Sequence, residues 1–439
     1  MKNGIIKSGC SAFLFLFISA GLEGQSYSSY FTGNRKDTVS YPSGGICMMG
    51  GATENDQAMR WFLDRCDHGD VLVLRASGSD GYNNYLFSEL GVQINSVESV
   101  VFKDKSASGE EYIRQKIRQA EGIWLAGGDQ WKYVSYWRGT GIDSLINQAV
   151  HERKVVVGGT SAGMAILGEY YFSARFGTVS SGEALANPYD NAVYVESDKF
   201  LDVPYLNNVI TDTHYNNPDR RGRQVVFLAR LLVDQGRKVK AVSCNEYTAL
   251  CIDNDGIARC YGSPEYTDCA SFFIQMNCEK TENWPETCSP GIPLEWNKEQ
   301  AALRVCKIPG TNTGENFFDL KDWKSESGGA WESWYVMNGS LISNPAISPE
   351  CNETLIQSAD MDLLRVCPNP VNSGIVRFKN ESPGVLQISL LDISGKALKN
   401  YIAAGVGNGS FDCSDLAAGM YLLVGRSASG YFPCKVFIR

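Results

Sequence analysis

Between residues 43 and 275 the sequence alternates short apolar runs with longer amphipathic ones, and this limits the possible folds more than any other feature. "GGICMMGGA", "DVLVLRAS", "SVESVVFKD", "GIWLAGGDQ", "KVVVGGTSAG" and "LNNVITDTH" are too short and too apolar for surface helices, and they read as buried strands. Between them, "ENDQAMRWFLDRC", "EEYIRQKIRQA" and "GRQVVFLARLLVDQ" place apolar residues three and four apart, the spacing of a helix with one buried face. Strands buried on both faces and separated by helices predict an α/β domain, a mainly parallel sheet with helices on both faces. "VSCNEYTALCID" and "IARCYG", joined by "NDG", predict a hairpin near its end.

One strand turns into its helix in an unusual way. In "KVVVGGTSAGMAILG" the segment G-T-S-A-G puts Ser161 between small residues at the strand-to-helix junction. Glycines there permit a strained turn that lifts the serine hydroxyl above the sheet, the arrangement of a nucleophile elbow. The backbone N–H of Ala162 then opens the helix and faces developing negative charge. A second oxyanion donor is expected at another strand end, where "AGGDQ" offers Gly127 and Gly128 with Gln130 following.

A serine nucleophile needs a base, and the chain has three histidines. His68 precedes a strand, and His151 precedes the strand that leads to Ser161. His214 follows one, which puts it at the carboxyl edge of the sheet where such sites form. For the orienting acid, Glu169 points away along the helix, Asp212 lies two residues before His214, and Glu183 sits in a loop able to return to the site. Glu183 is the expected acid. Arg220 and Arg223, six and nine residues after His214, suit bidentate recognition of a substrate carboxylate. No cofactor or metal is expected: no P-loop or G-x-G-x-x-G follows a strand, and no cysteine pair has zinc spacing.

The two ends of the chain differ from its middle. Lys2 and Lys7 precede "CSAFLFLFISAGLEG", the plan of a signal peptide over residues 1–24. Fourteen cysteines, seven of them between Cys244 and Cys306, fit an exported chain in which disulfides are permitted. Residues 25–275 read as the catalytic domain, 276–345 as its Cys/Trp-rich, loop-rich extension, and 346–364 as a linker. Residues 365–439 carry strand-like runs between Gly-rich turns, a small all-β sandwich. A net charge of −9 argues against a nucleic-acid partner, and no apolar run is long enough to span a membrane.

Taken in order, "GGDQ", "GGTSAGMA", "GEALANPY", "DTHYNNPDRRGR" and "NEYTALCID" resemble the cyanophycinase and dipeptidase E family of serine peptidases. The resemblance implies a class I glutamine-amidotransferase-like fold. It implies Ser161 as nucleophile, His214 as base, Glu183 as acid, and Gly128 and Ala162 as oxyanion donors. Gln130, Asp212, Arg220 and Arg223 match residues that line the substrate site in cyanophycinase-like enzymes. Pro218 departs from the pattern, which usually has an arginine there. The C-terminal block, with "PNPVNSG", "LLDISGKAL" and "AAGMYLLV", resembles the sorting domain of the type IX secretion system, which implies that machinery as a partner.

The resulting expectation is a secreted or surface-attached serine peptidase that cleaves aspartyl or isoaspartyl peptide bonds, with the homodimer left open as its assembly. The alternatives are a catalytically silent binding protein on the same scaffold, or an esterase.

Overall fold

The computed structural model describes residues 25–350 except residue 199, and residues 364–438 in part. The leader expected over residues 1–24 and residues 351–363 of the expected linker lie outside the described residues. The chain divides into two compact units, Met1–Asn352 and Glu353–Arg439.

The first unit is built on two mixed sheets. In the first, the strands Ser96–Phe102, Asp70–Arg75, Gly122–Leu125, Val156–Thr160 and Ile46–Met49 lie side by side and all run parallel. These are the strands expected from the alternating pattern. Antiparallel strands extend both edges: Tyr27–Gly33 on one side, and the hairpin Thr248–Ile252 and Ile257–Gly262 on the other. In the second sheet, Tyr170–Phe172, Val209–Asp212 and Lys240–Cys244 run parallel, and the remaining strand pairs are antiparallel.

Period-two alternation sorts the side chains of the first sheet. Leu72 and Leu74 enter one core with Ile113, Ile117, Trp137 and Ile146 from the helices Glu111–Gln119, Gln130–Trp137 and Gly141–Glu152. Val71 and Val73 enter another with Ala58, Met59, Phe62 and Leu63 of the helix Asp56–Asp64. That helix starts where it does because the Asn55 side chain accepts from the N–H groups of Gln57 and Ala58, both at 3.1 Å. Val242, Phe273 and Ile308 of the second sheet belong to the first of these cores. The opposite face of that sheet packs on the helix Arg221–Gln235 through Ala241, Ile274 and Val305.

The stretch read as a loop-rich extension is β-structured. The strands Leu303–Pro309, Ala330–Met337 and Ser340–Pro345 continue the second sheet, while Phe317–Asp319 and Glu326–Ser327 continue the first. Its Cys278 is disulfide-bonded, while Cys288 and Cys306 carry free thiols. Poor helical periodicity there reflects short antiparallel strands.

The second unit holds a three-stranded sheet (Leu364–Val366, Ile375–Asn380, Gly407–Asp412) and a four-stranded one (Ala397–Ala404, Val385–Leu391, Gly419–Ser427, Gly430–Ile438). Phe378 and Phe411 from one meet Ile388, Leu390, Leu423 and Val436 from the other in a single small core. This is the all-β sandwich expected from the spacing of the strand-like runs.

At the amino edge of the parallel strands, Glu121 is almost fully covered. Burial pushes its carboxyl up to about 7, more than the N–H of Asp70, which it accepts at 2.7 Å, can offset. An unfolded glutamate titrates near ~4.3, so the folded state holds this proton more tightly. The associated stability is complete below that value and is lost as pH rises towards 7. We expect the urea midpoint of Glu121→Gln to fall less between pH 4.5 and 7 than that of the parent chain. Equal pH slopes would show that Glu121 titrates normally.

Candidate active site

The site lies where strand ends of the two sheets meet. From the first sheet, Val156–Thr160 ends in Ser161, whose φ of 51° and ψ of −117° are strained for a residue with a Cβ. Such a conformation costs about 1–3 kcal/mol and persists only where its surroundings enforce it. Here the N–H of Ser161 donates to Met49 O at 3.1 Å. The following helix Ala162–Ala165 crosses so close to the sheet that a Cβ on Gly163 would lie 2.0 Å from Leu125 O. The glycines of the elbow permit backbone contact, as their spacing predicted.

His214 arrives from the second sheet, two residues beyond Val209–Asp212. Its Nε2 lies 2.8 Å from Ser161 Oγ, and its Nδ1 lies 2.6 Å from Glu246 Oε1. An ionised carboxylate only accepts, so Nδ1 carries the proton and the Nε2 lone pair faces the serine hydroxyl. Glu246 Oε2 accepts from Asn217 Nδ2 at 3.0 Å, and the Glu246 N–H donates to Asn216 Oδ1 at 3.0 Å. Burial pushes the Glu246 carboxyl up. Hydrogen bonds from Asn217 and His214 outweigh it, with help from positive charge at His214 and Arg220, and hold the group below the ordinary glutamate range.

The expected acid, Glu183, is elsewhere. It is exposed and closes a capping box: it accepts from the Ser180 N–H at 2.9 Å and the Ser180 hydroxyl at 2.7 Å at the start of the helix Ser181–Ala186. This corrects the expected carboxylate neighbour of His214 from Glu183, which is committed to its own helix start, to Glu246. Strand register explains how Glu246 reaches His214. Lys240–Cys244 runs parallel to Val209–Asp212 with Ser243 opposite Asp212, so the residue three past Ser243 reaches the same edge as the residue two past Asp212. The other histidines are occupied away from the site, His68 with Gln93 O and His151 with Asp202.

On the oxyanion side, Gly127 faces Ser161, with a built Cβ only 3.5 Å from the serine Cβ. Tyr133 Oη donates to Ala126 O at 2.8 Å and Gly127 O at 3.2 Å. In a planar trans peptide the next N–H points the opposite way, so the Gly128 N–H is aimed away from Tyr133. Gln130 donates from Nε2 to Phe172 O at 3.0 Å.

The remaining expected substrate residues divide. Arg223 and Asp212 are 2% and 3% exposed and form a bidentate pair at 2.5 and 2.9 Å. The Arg223 fork, expected to stand open for a substrate carboxylate, is therefore closed on Asp212, and its Nη1 tethers the Thr178–Val179 segment. Arg220 is different. Its Nη1 donates only to a backbone carbonyl, Thr213 O at 3.0 Å, while its Nε is buried with no partner. Burial and the neighbouring Arg223 lower its proton affinity, which Asp212 and Glu246 partly restore. Among the described residues no His/Cys/Asp/Glu cluster is arranged to hold a metal ion, and no helix is long and apolar enough to cross a membrane.

We expect Glu246→Gln to lower kcat by about 10³–10⁴-fold on any substrate the chain turns over, by analogy with loss of the acid from such triads. Glu183→Gln should leave kcat within about twofold, since the amide keeps the cap. Steady-state kinetics on both variants decides between the two acids.

Residues 79–259 match the model for peptidase family S51, and residues 365–439 match that for a secretion system C-terminal sorting domain. The first stretch contains Ser161, His214 and Glu246. Cyanophycinase from Synechococcus elongatus is 27% identical over 182 residues, 42% of this chain and 51% of that protein. Cyanophycinase from Trichormus variabilis is 26% identical over 144 residues, 33% of this chain and 44% of that protein. The chain thus spans about half the length of the curated relatives it matches. A crystal structure of a peptidase from an acI-B1 Actinobacterium aligns at 13% identity and a TM-score of 0.38, over 51% of this chain and 89% of that one.

Proposed function

We propose, from the match of residues 79–259 to the peptidase family S51 model, that the chain is an exported serine peptidase acting through Ser161, His214 and Glu246 on aspartyl or isoaspartyl peptide bonds. The observation that carries the reading is the imidazole of His214, held between a strained serine hydroxyl and a carboxylate kept ionised. In this reading His214 Nε2 takes the Ser161 proton as Oγ attacks the carbonyl carbon. Glu246 stabilises the imidazolium, and the N–H groups of Ala162 and Gly128 receive the oxyanion. The imidazolium then protonates the leaving amine. A water molecule, deprotonated by the same nitrogen, hydrolyses the acyl-enzyme.

A catalytically silent scaffold has no need to keep serine, rather than glycine, at the positive φ of residue 161. For the acyl side, Arg220 supports a substrate carboxylate, because its guanidinium is half-buried next to His214 without an acidic side chain bound to it. Asp212 and Arg223 then act behind the site as positioning residues.

Ser161→Ala should abolish hydrolysis of α- and β-aspartyl dipeptides while the thermal unfolding midpoint stays within about 2 °C. Retention of a tenth of the activity would remove the nucleophile assignment. Arg220→Lys keeps charge but loses the planar fork, so it should cost roughly 10–150-fold in kcat/KM on aspartyl dipeptides, the worth of one charge-assisted hydrogen bond. The same variant should barely change asparaginyl analogues, and equal losses on both would make Arg220 structural.

The sorting domain over residues 365–439 indicates export by type IX secretion to the cell surface or beyond. We propose that the extracellular form has lost this segment. Intact-mass measurement on protein from the culture medium checks it, and a mass that includes residues 365–439 refutes it.

A further inference from the structure

Nine cysteines of the described residues carry free thiols, and most of them face oxygen or carbon. Cys66 meets Phe62 O at 3.4 Å, Cys269 meets Tyr247 O at 3.6 Å, and Cys244 and Cys260 both meet Ser271 Oγ, at 3.3 and 3.1 Å. Cys47 and Cys251 face each other, sulfur to sulfur at 3.8 Å.

Their backbone placement is the one that admits a bond. Ile46–Met49 and Thr248–Ile252 are antiparallel neighbours with Cys47 directly opposite Cys251. The Gly50 N–H donates to Thr248 O at 2.9 Å, so Gly50 and Thr248 form a hydrogen-bonded pair, and alternation makes Cys47 and Cys251 a non-hydrogen-bonded pair. The other side of the strand agrees. Met49 O and Gly45 O are both used by Val156–Thr160, at Ser161 N and Val157 N, so the intervening Cys47 turns its backbone the same way. Non-hydrogen-bonded antiparallel partners have Cα atoms about 4.5 Å apart, inside the roughly 4.4–6.8 Å window of disulfides. Side-chain rotation alone then brings the sulfurs together.

We propose that Cys47 and Cys251 are a modification site and are joined as a cross-strand disulfide in the exported protein. The sorting domain that indicates export also indicates passage through an oxidising compartment. The two thiols lose two protons and two electrons to the disulfide of a thiol–disulfide oxidoreductase, which leaves as a dithiol. Attack by a Cys47 or Cys251 thiolate gives the mixed disulfide, and the second thiolate displaces the enzyme.

Both residues are at most 1% exposed, with the helix Asp56–Asp64 over them: each sulfur approaches Ala58 O. Oxidation therefore precedes closure of this helix, and the finished bond is shielded from reductants. The bond encloses a segment whose ends are 204 residues apart and ties together the two strands that flank the triad. One strand leads into Gly50 and Gly51, which hold His214; the other begins two residues after Glu246.

The test expresses the whole chain with its own export signals and uses the form recovered from the medium, whether or not residues 365–439 remain attached. The protein is denatured, alkylated with N-ethylmaleimide without reduction, digested and mapped by mass spectrometry. The expected result is a peptide pair joined through Cys47 and Cys251, besides the pair that contains the disulfide-bonded Cys278, with Cys244 and Cys260 alkylated. Alkylated Cys47 and Cys251 in exported protein would overturn the proposal. A second measurement compares the thermal midpoints of Cys47→Ala, Cys251→Ala and the double variant, each prepared by export. A shared bond predicts similar losses for all three, on the order of 5 °C or more, and these disappear when parent and variants are all compared under reduction. Losses that add in the double variant would mean two independently packed thiols. Neither readout depends on peptidase activity, so this proposal and the functional reading fail separately.

Discussion

The rest of the site depends on the contact between Gly50–Gly51 and His214. Ser161 follows a strand of one sheet, His214 follows a strand of the other, and Glu246 lies in the crossing between the two, so no single element fixes their separation. The Gly50 carbonyl receives both the His214 N–H and the Thr213 hydroxyl at 2.6 Å, and the Gly51 carbonyl receives the Tyr247 N–H at 3.1 Å. Thus one dipeptide at the end of Ile46–Met49 orders both His214 and Tyr247, the neighbour of Glu246. Neither position tolerates a side chain. A Cβ on Gly51 would lie 2.3 Å from His214 Nε2, and one on Gly50 would lie 1.9 Å from Asn245 O. Gly51 also sits at φ 107°, a conformation open to glycine. The imidazole and the seam between the sheets occupy the space that two missing side chains leave.

Behind this seam the Asp212–Arg223 pair acts on the base from the opposite side. A buried ion pair adds little net stability compared with well-packed apolar residues, but breaking one half strands a charge and costs about 3–5 kcal/mol. Its importance here is directional. Asp212 is two residues from His214, and its Oδ1 also accepts from the Thr213 N–H at 2.8 Å, so the strand end cannot rotate without uncovering the pair. Arg223 also extends the constraint to Thr178 and Val179. Side chains expected to read a substrate instead hold the frame on which the base stands.

How much of this was legible follows from which signals are local. The parallel strands declared themselves through apolar runs, and the elbow through glycines that only a close βα crossing requires. His214 was identifiable because just one of three histidines follows a strand. Glu246 was harder, because "VSCNEYTALCID" reads as one continuous strand. In the structure it is two, Lys240–Cys244 in one sheet and Thr248–Ile252 in the other, and Glu246 lies in the crossing between them, with Tyr247 at φ 58°. Nothing in periodicity marks a change of sheet. The same blindness affected Glu183, where an S-x-x-E capping box in "SSGE" was a local signal, outweighed by the appeal of a loop near the site. For Arg223, spacing placed the guanidinium near the base but said nothing about Asp212 competing for it.

The Cys/Trp-rich stretch 276–345 shows why the boundary at residue 275 is not a structural one. The strand Ala270–Met276 is paired along its whole length with Leu303–Pro309, which Ala330–Met337 and Ser340–Pro345 then cover. Without them the second sheet would end on an exposed, fully buried-type strand, the kind of edge that pairs with other chains. Phe318, Trp323 and Trp331 also complete the core between the sheets: Phe318 stacks on Phe273 at 4.1 Å between ring centroids, Trp323 meets Phe273 edge-on, and Trp331 packs against Phe318. Because Phe273 belongs to the strand beside Lys240–Cys244, those aromatic rings sit one strand away from the element that delivers Glu246. The late strands are thus part of the first unit's core, and a chain cut at residue 275 would lose packing next to the strand that leads to Glu246.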